Sequence, residues 1–98
     1  MNYKTIDMET FPRRAHFEYF KGLAYPYVGF TVNVDITEFL AQQKRLGLPF
    51  YFALSYCATR AANSVPEFRR RIHGDGIIEY DWCHGSHTVA LPDETYCY

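Results

Sequence analysis

The stretch Tyr27-Val28-Gly29-Phe30-Thr31-Val32-Asn33-Val34-Asp35 decides how the fold is interpreted. Its apolar residues occupy the even positions from 28 to 34, while tyrosine, glycine, threonine and asparagine occupy the odd positions. A period of two residues is typical of a β-strand with one buried face. The sequence therefore predicts a strand over 27–35.

A helix is predicted directly after this strand. Asp35 is followed three residues later by Glu38, the spacing of a capping box, in which two side chains satisfy free backbone N–H groups at a helix start. The helix is expected over 36–46, and Gly47 ends it because glycine tolerates the left-handed conformation of a helix end.

A second helix is predicted from Pro49, a residue that is favoured in the first helical turn. Pro66 ends this helix by Ser64, because the residue before a proline avoids helical geometry. Spacings of three and four predict an apolar face made of Phe50, Ala53, Leu54, Cys57, Ala58, Ala61 and Ala62.

Towards the N-terminus, a short strand or extended lead-in is predicted over Lys4–Asp7. Thr10 is a candidate helix cap, with Pro12 in the first turn of the helix that follows. Phe17 and Phe20 are its expected inward pair, and the helix is predicted to end by about Lys21.

Towards the C-terminus, strands predominate. Segments 69–73 and 77–81 flank Gly74-Asp75-Gly76 and form a predicted hairpin, in which Asp75-Gly76 suits the positive φ angles of a tight turn. Ser86–Leu91 is a further predicted strand, followed by a turn at Pro92-Asp93.

The last segment, Thr95–Tyr98, is rich in strand-forming residues and has no stop signal. A strand without a partner exposes an edge of free backbone groups. We therefore expect that the chain is a single partial domain, residues 1–98, whose remainder lies outside it. We also expect self-association or poor solubility of the isolated chain, since its core is small.

Composition excludes several classes of function. The net charge of −1 argues against a general electrostatic affinity for nucleic acid or acidic lipid. No window approaches the roughly 18 apolar residues that a membrane helix needs, and Met1–Thr10 has no signal-peptide core. Three widely spaced cysteines favour reduced thiols in a cytoplasm over a disulfide framework.

The sequence offers little chemistry of its own. Cys83, His84 and His87 superficially suggest zinc, but a fourth ligand at a suitable spacing is missing, and no metal site is expected. A Gly-x-Ser-x-Gly motif is absent. Gly74-Asp75-Gly76 lacks the helix and the Lys-Ser/Thr pair of a phosphate loop.

Two sets of residues keep two interpretations open. Arg69, Arg70 and Arg71 either form a solvated surface or are held by a carboxylate, and alternation places Arg70 on the face opposite the other two. The aromatic residues of 17–27 serve either a core or a pocket for a flat ligand, and Tyr19 and Tyr25 suit the second role.

Several stretches, in this order, resemble the type A chloramphenicol acetyltransferases. They are Asp7-x-x-x-Phe11-Pro12-Arg13-Arg14-x-His16-Phe17-x-Tyr19-Phe20, Thr31-Val32-Asn33-Val34-Asp35-Ile36-Thr37, Phe50-Tyr51-Phe52-Ala53-Leu54, Asn63 followed by Glu67-Phe68-Arg69, Gly76-x-x-x-Tyr80-Asp81, His84-x-Ser86-x-Thr88-Val89 and Glu94-Thr95-Tyr96. Members of the family are longer, so the chain resembles their N-terminal half. The resemblance implies an α+β fold, with a mixed sheet flanked by helices on one side.

The resemblance also implies roles for individual residues. Arg13 matches an arginine that pairs with the aspartate of the catalytic motif, and so supports the site without reacting. Tyr19 and Phe20 match the aromatic pair of the acceptor pocket. Val28 and Ala90 stand where chloramphenicol-binding members carry phenylalanines, which puts chloramphenicol itself in doubt as the acceptor.

The implied reaction is acetyl transfer from acetyl-coenzyme A to an acceptor hydroxyl, in a cytoplasmic homotrimer that needs no metal, nucleic acid or membrane. The family's catalytic histidine lies in a His-His-x-x-x-Asp-Gly motif that this sequence lacks, so no catalytic residue is assigned. The alternative is a non-catalytic α+β module for ligand binding or oligomerisation, derived from a truncated gene.

Overall fold

The computed structural model describes residues 2–97. Its elements, in chain order, are β1 (Tyr3–Thr5), α1 (Arg14–Lys21), α2 (Thr37–Arg45), α3 (Phe50–Asn63), a 3₁₀-helix (Pro66–Arg69), β2 (Arg70–His73), β3 (Gly76–Tyr80), β4 (Val89–Ala90) and β5 (Tyr96–Cys97). The predicted α+β class is confirmed. Within the described residues, no helix is long and apolar enough to cross a membrane.

Three strands form the main sheet, in the order β1-β3-β2. Both pairings are antiparallel, so this part of the chain does not show the parallel component of the predicted mixed sheet. The predicted hairpin is present, with His73 opposite Gly76 across a two-residue loop. The positive φ of 60° falls on Gly74 and not on Asp75-Gly76, as in hairpin turns whose first central residue is glycine.

The second sheet is shorter than predicted. Only Val89 and Ala90 of the predicted strand 86–91 pair, and their partner is β5. The predicted turn at Pro92-Asp93 is present, and the Asp93 carboxylate accepts bonds from the N–H and the hydroxyl of Thr95 at 3.1 and 2.6 Å. The last predicted strand is therefore paired over 96–97, and Tyr98 lies outside the described residues.

Helix α1 begins later than predicted. Thr10 does not cap it, because its hydroxyl donates to the Asp7 carbonyl at 3.4 Å. Arg13 occupies the cap position without a side-chain hydrogen bond to the helix. The predicted end at Lys21 is confirmed.

Helix α2 has nearly the predicted extent, but the predicted capping box is wrong, because Ile36 and not Asp35 occupies the cap position and no side chain caps the helix there. Asp35 Oδ1 instead accepts from the Thr37 N–H at 2.9 Å and so satisfies a free donor at the helix start. At the other end, Gly47 has a φ of 67° and donates to the Lys44 carbonyl, while Leu48 donates to the Gln43 carbonyl. These two bonds form a Schellman motif, in which glycine takes the left-handed position.

Helix α3 has the predicted extent, with Pro49 at its cap position and Ser64 just after its end. The predicted apolar face of this helix is largely exposed. Phe50 and Leu54 are 43% and 38% exposed, and Asn63 is the one buried residue of this helix. No element among residues 2–97 covers this face fully.

The predicted strand over 27–35 is also wrong. These residues have no regular secondary structure, and their apolar side chains are exposed. The physical reason is the lack of a partner: within the described chain, no strand pairs with this segment. Alternation alone does not make a ladder of hydrogen bonds.

The core is therefore thin and centred on β3. Within residues 2–97, Ile77 and Ile78 are the buried apolar residues, and Asn63 and Glu79 are buried polar residues. The radius of gyration is 18.0 Å, whereas a compact chain of this length has about 13 Å. Much of the apolar surface of the chain faces solvent.

Candidate functional site

A groove lies between α1 and the main sheet, and charged and aromatic side chains line it. Its cavity volume is about 410 Å³, within the range of small-molecule sites. We call it the α1 groove, and it is lined by Phe11, Arg13, His16, Phe17, Phe20, Lys21, Pro26, Arg70, Arg71, Ile72 and Ile77.

Arg13 lies in this groove, where α1 begins. Its guanidinium is 3.8 Å from the Glu67 carboxylate of the 3₁₀-helix and 5.7 Å from the centre of the Phe11 ring. Both charged side chains are more than half exposed, so this ion pair contributes little to stability. Arg13 therefore has solvent access and a loose partner, which leaves its guanidinium able to meet another carboxylate.

The four predicted pocket residues are only partly brought together. Tyr19 and Phe20 have ring centres 5.1 Å apart in an edge-on arrangement, but Phe20 lines the α1 groove and Tyr19 does not. Val28 is 81% exposed in the unpaired segment 27–35. Ala90 is exposed in the second sheet, and neither residue lines the α1 groove.

A buried carboxylate organises the sheet beside this groove. Glu79 of β3 lies directly opposite Lys4 of β1 and Arg70 of β2. Its carboxylate is 3.4 Å from Lys4 Nζ and accepts a hydrogen bond from Arg70 Nε at 3.0 Å. Arg69 Nη1 lies 3.9 Å away. One acidic side chain therefore ties the central strand to both of its neighbours.

The electrostatics of Glu79 follow from these contacts. The hydrogen bond from Arg70 lowers the pKa of Glu79, and the charge of Lys4 acts in the same direction against the opposing effect of burial. The Arg70 guanidinium also lies 5.9 Å from the centre of the Phe11 ring, so this charge cluster borders the α1 groove.

Arg69, Arg70 and Arg71 were predicted either to form a solvated surface or to be held by a carboxylate, and the contacts of Glu79 favour the second interpretation. Arg70 is held by a carboxylate on the α1 side of the sheet. Arg69 donates to the backbone carbonyls of Asn63 and Tyr80, and Arg71 contacts Cys83 Sγ at 3.6 Å. The predicted placement of Arg69 on the face opposite Arg70 is wrong, because Arg69 precedes β2, in the 3₁₀-helix, and its guanidinium also lies 3.9 Å from the Glu79 carboxylate.

Asn63 attaches the following loop to the end of α3. Its amide donates to the Cys83 carbonyl at 2.8 Å and accepts from the Cys83 N–H at 2.7 Å. It also donates to the Thr59 carbonyl at 2.9 Å. The Asn63 amide therefore forms two hydrogen bonds with the backbone of one residue, as a neighbouring strand would. With the bond to Thr59, all hydrogen-bonding groups of this buried amide have partners.

Cys83, His84 and His87 do not converge. The His87 ring packs 5.5 Å from the Tyr51 ring and 5.9 Å from the Phe52 ring, whereas the Cys83 thiol faces Arg71. Among residues 2–97, no group of three His, Cys, Asp or Glu side chains is placed to hold a metal ion.

A second groove, between α2 and α3, has a different character. Its volume is about 440 Å³, and its walls are almost entirely apolar. We call it the α2–α3 groove, and it is lined by Phe39, Gln42, Gln43, Leu46, Leu48, Pro49, Phe52, Ala53, Tyr56 and Cys57. The side chains that line it carry no charge, in contrast to those of the α1 groove.

Comparison with known proteins identifies the fold and its family. The model of the family described as chloramphenicol acetyltransferase matches residues 1–97. The chain belongs to this family. A chloramphenicol acetyltransferase of Escherichia coli is 34% identical over 87 residues, which are 89% of this chain and 40% of that protein. One of Clostridium perfringens is 33% identical over 94 residues, or 95% of this chain and 43% of that protein.

A solved chloramphenicol acetyltransferase superposes on the chain with a TM-score of 0.74 and 33% sequence identity. The match covers 83% of this chain and 42% of that structure. This chain thus spans about 40% of the length of the curated relatives that it matches. The resemblance to the family is confirmed, and the chain corresponds to part of a longer chloramphenicol acetyltransferase.

Sequence reasoning missed the buried state of Glu79 and did not name it as a site residue. The signal was available in the register: once the two-residue turn of the hairpin is fixed, Arg70 must face Glu79. Lys4 could not be found in this way, because β1 is separated from β3 by 70 residues of sequence without a local turn.

Proposed function

We propose that this chain contributes the acceptor wall and supporting residues of an O-acetyltransferase. The enzyme would move acetyl from acetyl-coenzyme A to a hydroxyl of chloramphenicol or a related molecule. The observation that carries this proposal is the match of residues 1–97 to the chloramphenicol acetyltransferase model. By the family resemblance, the complete enzyme is a cytoplasmic homotrimer that uses no metal.

The reaction requires groups that this chain does not supply. A neutral imidazole must take the proton of the acceptor hydroxyl as that oxygen attacks the thioester, and a donor must stabilise the resulting oxyanion. No two of the four histidines are adjacent, so the sequence has no His-His-x-x-x-Asp-Gly motif. We therefore assign the base and the oxyanion donor to another part of the complete enzyme.

The α1 groove is our candidate for the acceptor side. Phe17 and Phe20 offer it apolar surface, and its volume suits an acceptor with one aromatic ring. Tyr19 stands beside Phe20 and would complete the wall. Val28 and Ala90 replace larger aromatic residues of the family, so we propose an acceptor related to chloramphenicol but differently shaped.

Arg13 is proposed to support the site without reacting. It lines the groove, and among residues 2–97 its one ion-pair partner is the exposed carboxylate of Glu67, 3.8 Å away. A carboxylate of the catalytic motif could therefore pair with it in the complete enzyme. Because paired charges fix the orientation of a loop, Arg13 would hold the catalytic segment in place.

The alternative, a non-catalytic module, is favoured by one observation. Segment 27–35 leaves apolar side chains in solvent, as an interaction surface would. On this alternative, the chain would form assemblies without contributing to any acetyl transfer.

A chimera distinguishes the two functions. This chain replaces the matching 40% of the Escherichia coli relative, and acetylation of chloramphenicol and of related alcohols is followed by release of free coenzyme A thiol. We expect turnover of at least one acceptor by the chimera and none by the 98-residue chain alone. A folded chimera without turnover of any acceptor supports the non-catalytic alternative, and turnover by the isolated chain contradicts our assignment of the base.

Matched substitutions in the chimera test the residue roles. Phe20→Ala should raise the KM for the acceptor, whereas Phe68→Ala, an exposed phenylalanine outside the α1 groove, should not. Equal effects of the two substitutions would show that the α1 groove is not the acceptor site.

A further inference from the structure

Phe11 lies against two arginine side chains that come from distant parts of the chain. The centre of its ring is 5.7 Å from the guanidinium carbon of Arg13, just before α1, and 5.9 Å from that of Arg70, in β2. A guanidinium within about 6 Å of a ring centre is attracted by the negative charge density of the ring face. One half-buried aromatic ring therefore links Arg13 to Arg70 inside the α1 groove.

Arg70 is the firmly held member of this group. Its Nε donates to the Glu79 carboxylate at 3.0 Å, and the two residues lie directly opposite each other in the sheet. The side chains of Arg70 and Glu79 are 23% and 8% exposed, so water screens this pair less than a surface pair. A ring that packs against Arg70 is thus packed against a side chain whose position is set by the sheet.

Arg13 has weaker restraints of its own. Its side chain and that of Glu67 are both more than half exposed, and surface ion pairs of this kind contribute little. The Arg14 N–H donates to the Phe11 carbonyl at 3.1 Å, which keeps Phe11 in one turn of chain with Arg13. The contact with the Phe11 ring therefore connects the exposed guanidinium of Arg13 to the rigid sheet.

We propose that Phe11 is a positioning residue, whose ring, held by Arg70 and Glu79, orients the Arg13 guanidinium. This inference rests on the proposed supporting role of Arg13 and names the group that orients it. An arginine pairs with a carboxylate through two parallel hydrogen bonds, and this geometry forms at a lower entropic cost when the planar donor fork is already oriented. Loss of the Phe11 ring should therefore impair the action of Arg13 while leaving its charge in place.

The first test measures the Arg13 side chain in the 98-residue chain and requires no catalysis. Nuclear magnetic resonance relaxation of the Arg13 Nε–H group gives its order parameter. We expect this value to fall in Phe11→Leu and in Phe11→Met, which remove the ring face, and to be retained in Phe11→Tyr, which keeps it. Circular dichroism shows which variants fold, and either ringless variant that folds is decisive.

Tyr56→Leu is the matched control for this measurement. It removes a ring 5.9 Å from the guanidinium carbon of Arg60, on α3 and outside the α1 groove, so the Arg13 order parameter should not change. An Arg13 order parameter that is the same with and without the Phe11 ring would overturn the proposal, as would an equal decrease in Tyr56→Leu.

The second test uses the chimera and separates Phe11 from the acceptor wall. Phe11→Leu should lower kcat about tenfold with little change in the KM for the acceptor, and Phe11→Tyr should restore kcat. Because Phe11 acts through Arg13, adding Phe11→Leu to Arg13→Met should lower kcat no further. Additive losses, or a change confined to KM, would overturn the proposal. A folded chimera without turnover counts against the proposed function instead, and the relaxation measurement then decides whether Phe11 orients Arg13.

Discussion

The hairpin of residues 70–80 and the segment of residues 27–35 were both predicted as strands, yet only the hairpin is paired. In the hairpin, β2 and β3 are joined by a two-residue turn, so each strand finds its partner locally. Segment 27–35 instead connects α1 and α2 and has no neighbouring strand in sequence. Alternation of apolar residues favours an extended backbone, but a strand forms only where a neighbouring strand is available for hydrogen bonding.

The two regions also differ in their polar groups. The hairpin contains Glu79, a buried carboxylate held by Lys4 and Arg70 from both neighbouring strands. Segment 27–35 contains no charged side chain before Asp35. We conclude that the charge cluster links the three strands of the sheet, whereas no ion pair among the described residues holds segment 27–35.

The largest change in the free energy of unfolding is expected for the substitution of Glu79. Glu79→Ala leaves Arg70 and Lys4 without their shared partner, and breaking such a buried pair costs roughly 3–5 kcal/mol. We expect a loss of about 3 kcal/mol in the free energy of unfolding, towards the lower end because Lys4 is largely exposed. Denaturant unfolding measures this loss. Glu67→Ala, which removes the exposed partner of Arg13, should cost less than about 0.5 kcal/mol; equal losses would refute the claim that burial makes the difference.

The next effect concerns the loop that Asn63 holds. Asn63→Ala removes both bonds to the Cys83 backbone and leaves those groups without partners, at a cost of about 2 kcal/mol. Hydrogen exchange at the Cys83 amide should accelerate strongly. Ser64→Ala, a neighbouring exposed position, should leave that amide unchanged, and slow exchange in Asn63→Ala would show that the loop is held by other contacts.

Glycine substitutions compare the two regions directly. Gly74 has a φ of 60° in the hairpin turn, so Gly74→Ala should cost about 1 kcal/mol through backbone strain, although nothing lies within 4 Å of the added carbon. Gly29 in segment 27–35 also has open space, without a positive φ, and Gly29→Ala should change stability by less than about 0.5 kcal/mol. Equal costs measured by thermal unfolding would contradict the proposed difference between the two regions.

The pH dependence of stability gives a smaller effect with a definite sign. The pKa of Glu79 is lowered on folding, so its contribution to stability is present above its ordinary value of 4.5 and is lost as pH falls through its folded pKa. Below pH 4.5, the free energy of unfolding of the wild-type chain should therefore fall more steeply with decreasing pH than that of Glu79→Gln. Parallel curves for the two proteins would show that Glu79 is not the group responsible.

How much could be predicted from sequence depended on whether a signal was local. The Schellman end at Gly47, the extent of α3 and the hairpin all rest on residues within one or two turns, and these predictions are confirmed. The strand over 27–35 required a partner that pattern cannot supply, and this prediction is wrong. Of the site, Arg13 and Phe20 share the α1 groove, whereas Val28 and Ala90 lie elsewhere because the segments that carry them are not packed against α1.

Hydrogen exchange of the 98-residue chain tests the central claim most directly. The claim is that the hairpin obtains its order from partners within this chain, whereas segment 27–35 has none there. We predict protected amides in β3, at the centre of the three-stranded sheet, and exchange at the rate of an unstructured peptide throughout 27–35. Protection of the 27–35 amides comparable to that of β3 would contradict the account.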